Sequence, residues 1–215
     1  MIFKVQPTKI AIVTTNGKKT CAQVRKETGC DICFNGTLYN MSNYHPNCDV
    51  KINGKILNND EYTYQGYAWQ SGDARATVAL SSDMNSWNNF ISCIMMIANG
   101  KPQTMYYQES FGGIRRGRTS FGYDKNGNMI IYVSHDGTTD ACSIKQLQKK
   151  MLEQGCVSAI CLDGGGSSQI DSDLGKITSS RKVANWICVW IAGCPFTEPT
   201  NNIKRNSNGT GAKWV

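Results

Sequence analysis

Histidine is nearly missing from this 215-residue chain, which has only His45 and His135. Ten cysteines are present, but Cys30-x-x-Cys33 is the one close pair of the C-x-x-C type. A structural zinc site needs a second such pair or neighbouring histidines, so no metal is expected, and nothing suggests a redox cofactor. No apolar stretch is long enough to span a bilayer. The greasiest segment, residues 91–98, fits a buried strand. The N-terminal MIFKVQPTK lacks the charged-then-apolar layout of a secretory signal. The chain is therefore expected in the cytoplasm, or released by another route, with its cysteines reduced and buried. No basic stripe interleaves with aromatics, and no internal repeat appears. The formal charge of +7 suits an anionic partner. Its basic residues are scattered beyond two clusters, Arg115-Arg116-Arg118 and Lys145-Lys149-Lys150, so nucleic acid is not the expected partner.

What remains is a chain long enough for one sizeable core, with the 40% hydrophobic and 18% charged content of a globular domain. Its most informative run is Asp163-Gly164-Gly165-Gly166-Ser167-Ser168, which follows an apolar strand at 157–162. Adjacent glycines remove every Cβ from one side of a turn and let another molecule approach the backbone. Successive free N–H groups in such a turn form an anion-binding concavity. Asp163 then stands at its rim, a carboxylate beside an anion cradle. The plain alternative is a tight turn capped by Asp163.

Short strands are expected at 10–13, 31–34, 77–80, 90–98 and 186–192. Hairpins are expected around Asn53-Gly54 and across 124–128, between strands 119–123 and 129–134. One helix is clear: Ser143 caps it, Ile144, Leu147, Met151 and Leu152 share a face, and Gly155 ends it. Strand, helix, strand is a crossover unit that predicts a parallel pair. Ligands gather beyond the carboxyl ends of such strands, which here carry His135-Asp136-Gly137 and Asp163. The fold expected is α+β: a single domain over 1–194 with mixed β-sheets, several hairpins and one main βαβ crossover helix. Residues 195–215 read as a polar tail.

Several segments, in order, resemble the phosphodiester glycosidase family. DICFNGTLYN at 31–40 is similar to the family's "INGGFF" segment, with Asn35-Gly36 aligned. The 49–57 hairpin resembles "vidGk", GRTSFG at 117–122 resembles "RTaiG", and His135-Asp136-Gly137 resembles "vDGr". The 162–168 run resembles "LDGGGSS", and RKVANWICV at 181–189 resembles "RpvaNallV". The resemblance covers about residues 30–192. It departs at Cys161, at Thr37-Leu38-Tyr39 and at Ala141-Cys142-Ser143.

The resemblance implies hydrolysis of the sugar–phosphate bond in a glycosyl phosphodiester, such as an N-acetylglucosamine-1-phosphodiester, with a phosphorylated glycan as partner. The leaving group is a phosphate monoester, a weak base, so charge neutralisation matters more than proton donation. Arg118 suits the phosphate contact, with Arg181 second. Asp163 and Asp136 are the candidate carboxylates, with exchangeable roles. Asn35 and Gly36 hold the sugar or fix the loop. Gly164, Gly165, Gly166, Ser167 and Ser168 cradle phosphate or sugar hydroxyls, and His135 relays a proton or packs beside Asp136. The alternative is a non-catalytic binder of phosphorylated sugars, nucleotides or anionic wall polymer.

Overall fold

The computed structural model of the protein describes residues 1–59, 64–105 and 113–192; the expected tail at 195–215 lies outside them. In chain order the elements begin with β1 (Ile2–Val5), β2 (Pro7–Thr14), α1 (Cys21–Thr28) and β3 (Ile32–Asn35). Next come β4 (Val50–Ile52), β5 (Lys55–Asn58), β6 (Gln65–Trp69), β7 (Thr77–Leu80), β8 (Asn89–Ser92), β9 (Ile94–Ala98) and β10 (Lys101–Pro102). The last are β11 (Thr119–Asp124), β12 (Met129–Val133), α2 (Ile144–Glu153), β13 (Cys156–Cys161), β14 (Ile170–Ser172), β15 (Gly175–Ile177) and β16 (Asn185–Ile191).

Turn chemistry makes the hairpins. Asn53 and Gly54 both take positive φ (48° and 84°), as a type I′ turn between β4 and β5 requires. Asn99-Gly100 does the same between β9 and β10, so that turn is also a hairpin. Between β11 and β12 the Asp124 carboxylate accepts from the N–H groups of Asn126 and Asn128, both at 2.9 Å. Both helices start on a capping box, Thr20 with Gln23 and Ser143 with Gln146.

The strands form three sheets: β1-β12-β11-β13-β9-β10, β15-β14-β3-β16-β2 and β5-β4-β8-β6-β7. They share one core. Phe121, Ile131 and Ile160 enter it from the first sheet, Phe34 and Ile187 from the second, and Tyr67 and Ile91 from the third. Helix α2 covers the outer face of the first sheet with Ile144, Leu147 and Met151. Helix α1 covers the second with Cys21 and Val24.

Two expectations need correction. The apolar run at 90–98 is not one strand: it breaks at Cys93, so β8 pairs within the third sheet and β9 within the first. A single chain segment thereby joins two sheets around the core. The crossover is also different. Helix α2 does link β12 to β13, and these strands run the same way, but β11 lies between them and pairs antiparallel with each. The tight β11–β12 hairpin takes the position that an adjacent parallel pair would need. The carboxyl ends of β12 and β13 still open on one edge of the sheet.

Candidate active site

Asp163 stands where the first and second sheets meet, just past β13. Its backbone is held on both sides: its N–H donates to the Gly36 carbonyl at 3.1 Å, and its carbonyl accepts from Asn35 Nδ2 at 2.8 Å. Asn35 is fully buried at the end of β3, and its Oδ1 accepts from Thr119 Oγ1 at 2.7 Å and from the Gln169 N–H at 3.1 Å. One side chain therefore ties β3, β11 and both ends of the glycine turn. This is the loop-fixing role among the two expected for Asn35. Gly36 is glycine because a Cβ there would strike the Asn185 side chain.

The glycine run packs against Gly117, backbone on backbone. A Cβ on Gly117 would lie 2.9 Å from the Gly165 carbonyl oxygen, and one on Gly164 would lie 2.7 Å from the Gly117 carbonyl oxygen. Real Cβ atoms do not approach so closely, so the contact requires glycine on both sides. The turn does not leave the expected row of free N–H groups. Gly164 N–H donates to Asp163 Oδ1 at 2.9 Å, and Gly165 N–H to the Gly117 carbonyl at 2.8 Å. Ser167 and Ser168 donate to the carbonyls of Gly164 and Gly165 in a 3-10 turn. Only the Gly166 N–H has no partner among the described residues of this turn. The broad anion cradle narrows to one donor because the turn closes on itself.

That donor has a cation beside it. The Arg181 guanidinium lies 3.1 Å from where a Gly166 Cβ would stand. Its backbone is fixed by Ser179 Oγ, which accepts from Arg181 N–H at 3.1 Å and donates to the Gly166 carbonyl at 2.6 Å. Arg181 is exposed, and among the described residues no carboxylate stands within ion-pair distance of it. Burial raises the Asp163 carboxyl above its ordinary pKa; the Ser167 hydroxyl, the Gly164 N–H and the Arg181 charge oppose that rise. The hydroxyls of Ser167 and Ser168 are buried without a hydrogen bond of standard geometry.

Asp136 and His135 sit at the end of β12. Asp136 Oδ1 accepts from Gly117 N–H at 2.8 Å, and Oδ2 pairs with Arg116 at 3.4 Å. Gly117 thus connects Asp136 to the Asp163 turn, but both Asp136 oxygens have protein partners. His135 is exposed, with Nδ1 2.6 Å from the Asp136 carbonyl. Arg118 is buried beside the glycine turn, its Nη1 3.5 Å from where a Gly164 Cβ would stand. Its Nε donates to the Cys142 carbonyl at 2.9 Å and its Nη2 to the Ile114 carbonyl at 2.8 Å. Two of its nitrogens thus hold backbone.

Sequence reasoning missed Tyr39. Its hydroxyl donates to the Lys182 carbonyl, joining the 36–49 loop to the Arg181 segment. Burial raises its pKa, Ser167 lowers it, and the charges of Asp163 and Arg181 are both felt there. Tyr44 stacks on it, ring centroids 5.8 Å apart. Tyr44 takes φ +60°, a conformation that bulky residues rarely adopt. The available signal was position: Tyr39 falls where the resemblance expects glycine and aromatics.

Comparisons with known proteins agree with this architecture. A mouse N-acetylglucosamine-1-phosphodiester alpha-N-acetylglucosaminidase is 24% identical over 191 residues, covering 74% of this chain and 36% of that protein. The chain thus spans about a third of that relative's length. The zebrafish catalytic domain of the same name, auto-inhibited by its pro-peptide, superposes with TM-score 0.65 at 19% identity, covering 86% of this chain and 73% of that one. A hypothetical protein from Synechocystis superposes with TM-score 0.72 at 13% identity, over 89% and 59%. The phosphodiester glycosidase family model matches residues 28–190. With most of its length matched, from the strand before Asn35 to the end of β16, this chain belongs to the phosphodiester glycosidase family.

Proposed function

We propose that this chain hydrolyses the bond between sugar and phosphate in a glycosyl phosphodiester of the N-acetylglucosamine-1-phosphodiester type. One observation carries the reading: a half-buried carboxylate, Asp163, lies near an exposed guanidinium, Arg181, that has no carboxylate partner among the described residues. Arg181 and the Gly166 N–H receive the phosphate. Guanidinium neutralises the charge that builds on phosphate oxygen as the bond breaks. The departing phosphate monoester is a weak base, so a strong proton donor behind it is unnecessary. On the sugar side, Asp163 accepts the proton of the attacking water. Its raised pKa brings it nearer the working pH, where proton acceptors are most effective. Ser167 and Ser168 stay buried in the turn, with the Ser167 hydroxyl beside Asp163. Asp136, Asn35 and Arg118 hold the frame.

The test is sugar release from a methyl diester of N-acetylglucosamine-1-phosphate. Release of free N-acetylglucosamine supports the proposal. Binding of the diester without release would replace it with the binder reading. Neither binding nor release, with nucleotide sugars also inert, would reject both.

A further inference from the structure

A second cluster of reactive side chains lies under α1, separate from Asp163 and unused by the proposed hydrolysis. Cys21, Cys30, Cys33 and Cys188 pack there with Val24 and Trp186. Cys33 on β3 and Cys188 on β16 are direct cross-strand partners. The Gly36 N–H donates to the Asn185 carbonyl at 2.9 Å, which makes 36/185 a hydrogen-bonded pair of this ladder. Alternation then makes 33/188 a non-hydrogen-bonded pair, the closer kind, with Cα atoms roughly 4.5 Å apart. That spacing falls within the range a disulfide spans.

Cys30 has a different position. It borders a shallow surface depression with Arg25, Lys26, Gly29 and Asp171, and is itself only 4% exposed. Its N–H donates to Thr28 Oγ1 at 3.4 Å, and the same hydroxyl reaches Cys188 Sγ at 4.0 Å. Thr28 Oγ1 thus links the Cys30 backbone to the Cys188 sulfur of the cross-strand pair. The sulfurs of Cys188 and Cys33 push the Cys30 pKa down against burial, and Thr28 and Arg25 add to that. The Cys33 thiol is pushed up by its sulfur neighbours, Cys188 first.

We infer that Cys30, Cys33 and Cys188, all free thiols in the structure, form a dithiol–disulfide exchange site, with Cys30 as the entry thiol and Cys33–Cys188 as the disulfide that oxidation forms. The oxidant is a low-molecular-weight disulfide. The Cys30 thiolate attacks one of its sulfurs and releases one small thiolate. The Cys188 sulfur then attacks Cys30 in that mixed disulfide and releases the second. Finally Cys33 attacks the Cys188 sulfur and returns Cys30 as thiolate. In sum, two protein thiols lose two electrons and two protons, and one small disulfide becomes two thiols. The inference does not depend on the hydrolytic reading.

The experiment treats the reduced full chain with oxidised glutathione, stops exchange with acid, alkylates the unfolded protein and maps unreduced peptides. Two of the ten thiols should escape alkylation, and a peptide joining Cys33 to Cys188 should appear. Cys30→Ala should slow its formation at least tenfold without abolishing it. The inference is overturned if all ten thiols remain alkylatable, if glutathione stays attached, or if Cys30→Ala forms the bond at the wild-type rate. The mapping of the wild-type chain decides the pairing even where a variant folds poorly.

Discussion

Asp163→Asn keeps the shape of the side chain and removes its charge and its basicity. The backbone at this position is fixed from outside, by Asn35 Nδ2 and the Gly36 carbonyl, so the turn has no reason to move. The Gly164 N–H can still donate to the amide oxygen as it does to Oδ1. Loss of a proton acceptor costs about 10²–10⁴ in rate, or about 3–5 kcal/mol of transition-state stabilisation. Stability should change in the other direction. The folded-state pKa of Asp163 lies above its unfolded value, so its contribution is greatest below the ordinary carboxylate pKa and is lost as pH rises through the folded one. The variant lacks that loss. It should therefore gain on the wild type as pH rises from about 4 to 7. Sugar release and thermal unfolding across that range measure the two effects. A variant within threefold of wild-type turnover would refute the assignment. A variant that is inactive because it melts well below the wild type would refute the claim that Asp163 is dispensable to the fold.

The two arginines should separate. Arg181→Ala should lower kcat/KM on the phosphodiester about 10²–10³-fold, the scale of one lost charge-stabilising donor, with thermal stability unchanged. Arg118→Ala should lower the melting point, because the Ile114 and Cys142 carbonyls each lose a donor at about 1–3 kcal/mol. Parallel kinetics and melts of both variants check this, and equal melting points would contradict the buried role of Arg118. Elsewhere, burial raises the Asp124 carboxyl, but the Asn128 amide and Lys4 outweigh it and bring it to about 2. Its stabilisation, about 2 kcal/mol, is present above the unfolded pKa and lost as pH falls from about 4 to 2. Acid unfolding of Asp124→Asn should lack that slope.

Local chemistry made much of the fold readable. Asn53-Gly54, the 124–128 turn and the Ser143 cap each dictate their own conformation, and each forms as expected. Helix α1 escaped notice because its buried face consists of Cys21 and Val24, too few apolar residues to show a period. The break at Cys93 escaped because both halves of the 90–98 run are buried, and burial pattern alone cannot show which sheet a strand joins. At the site, Asp163 and the glycines were legible as a motif, and their packing on Gly117 was not. The two arginines differ in exposure for a tertiary reason. Arg118 precedes a strand whose neighbours cover it, whereas Arg181 precedes β16 on a segment held through its backbone by Ser179, Gln169 and Tyr39, which leaves the guanidinium outside.

The contact of Gly117 with Gly164 bears on how this family can diversify. Main chain meets main chain there, so that side of the turn has no side chain to exchange, and any substitution at either glycine meets backbone. The 36–49 loop is different. Tyr39 anchors it to Lys182, while Leu38 and Met41 stand exposed with room to vary. Change in this chain therefore meets a fixed backbone contact at the glycines and an editable margin at 38–41.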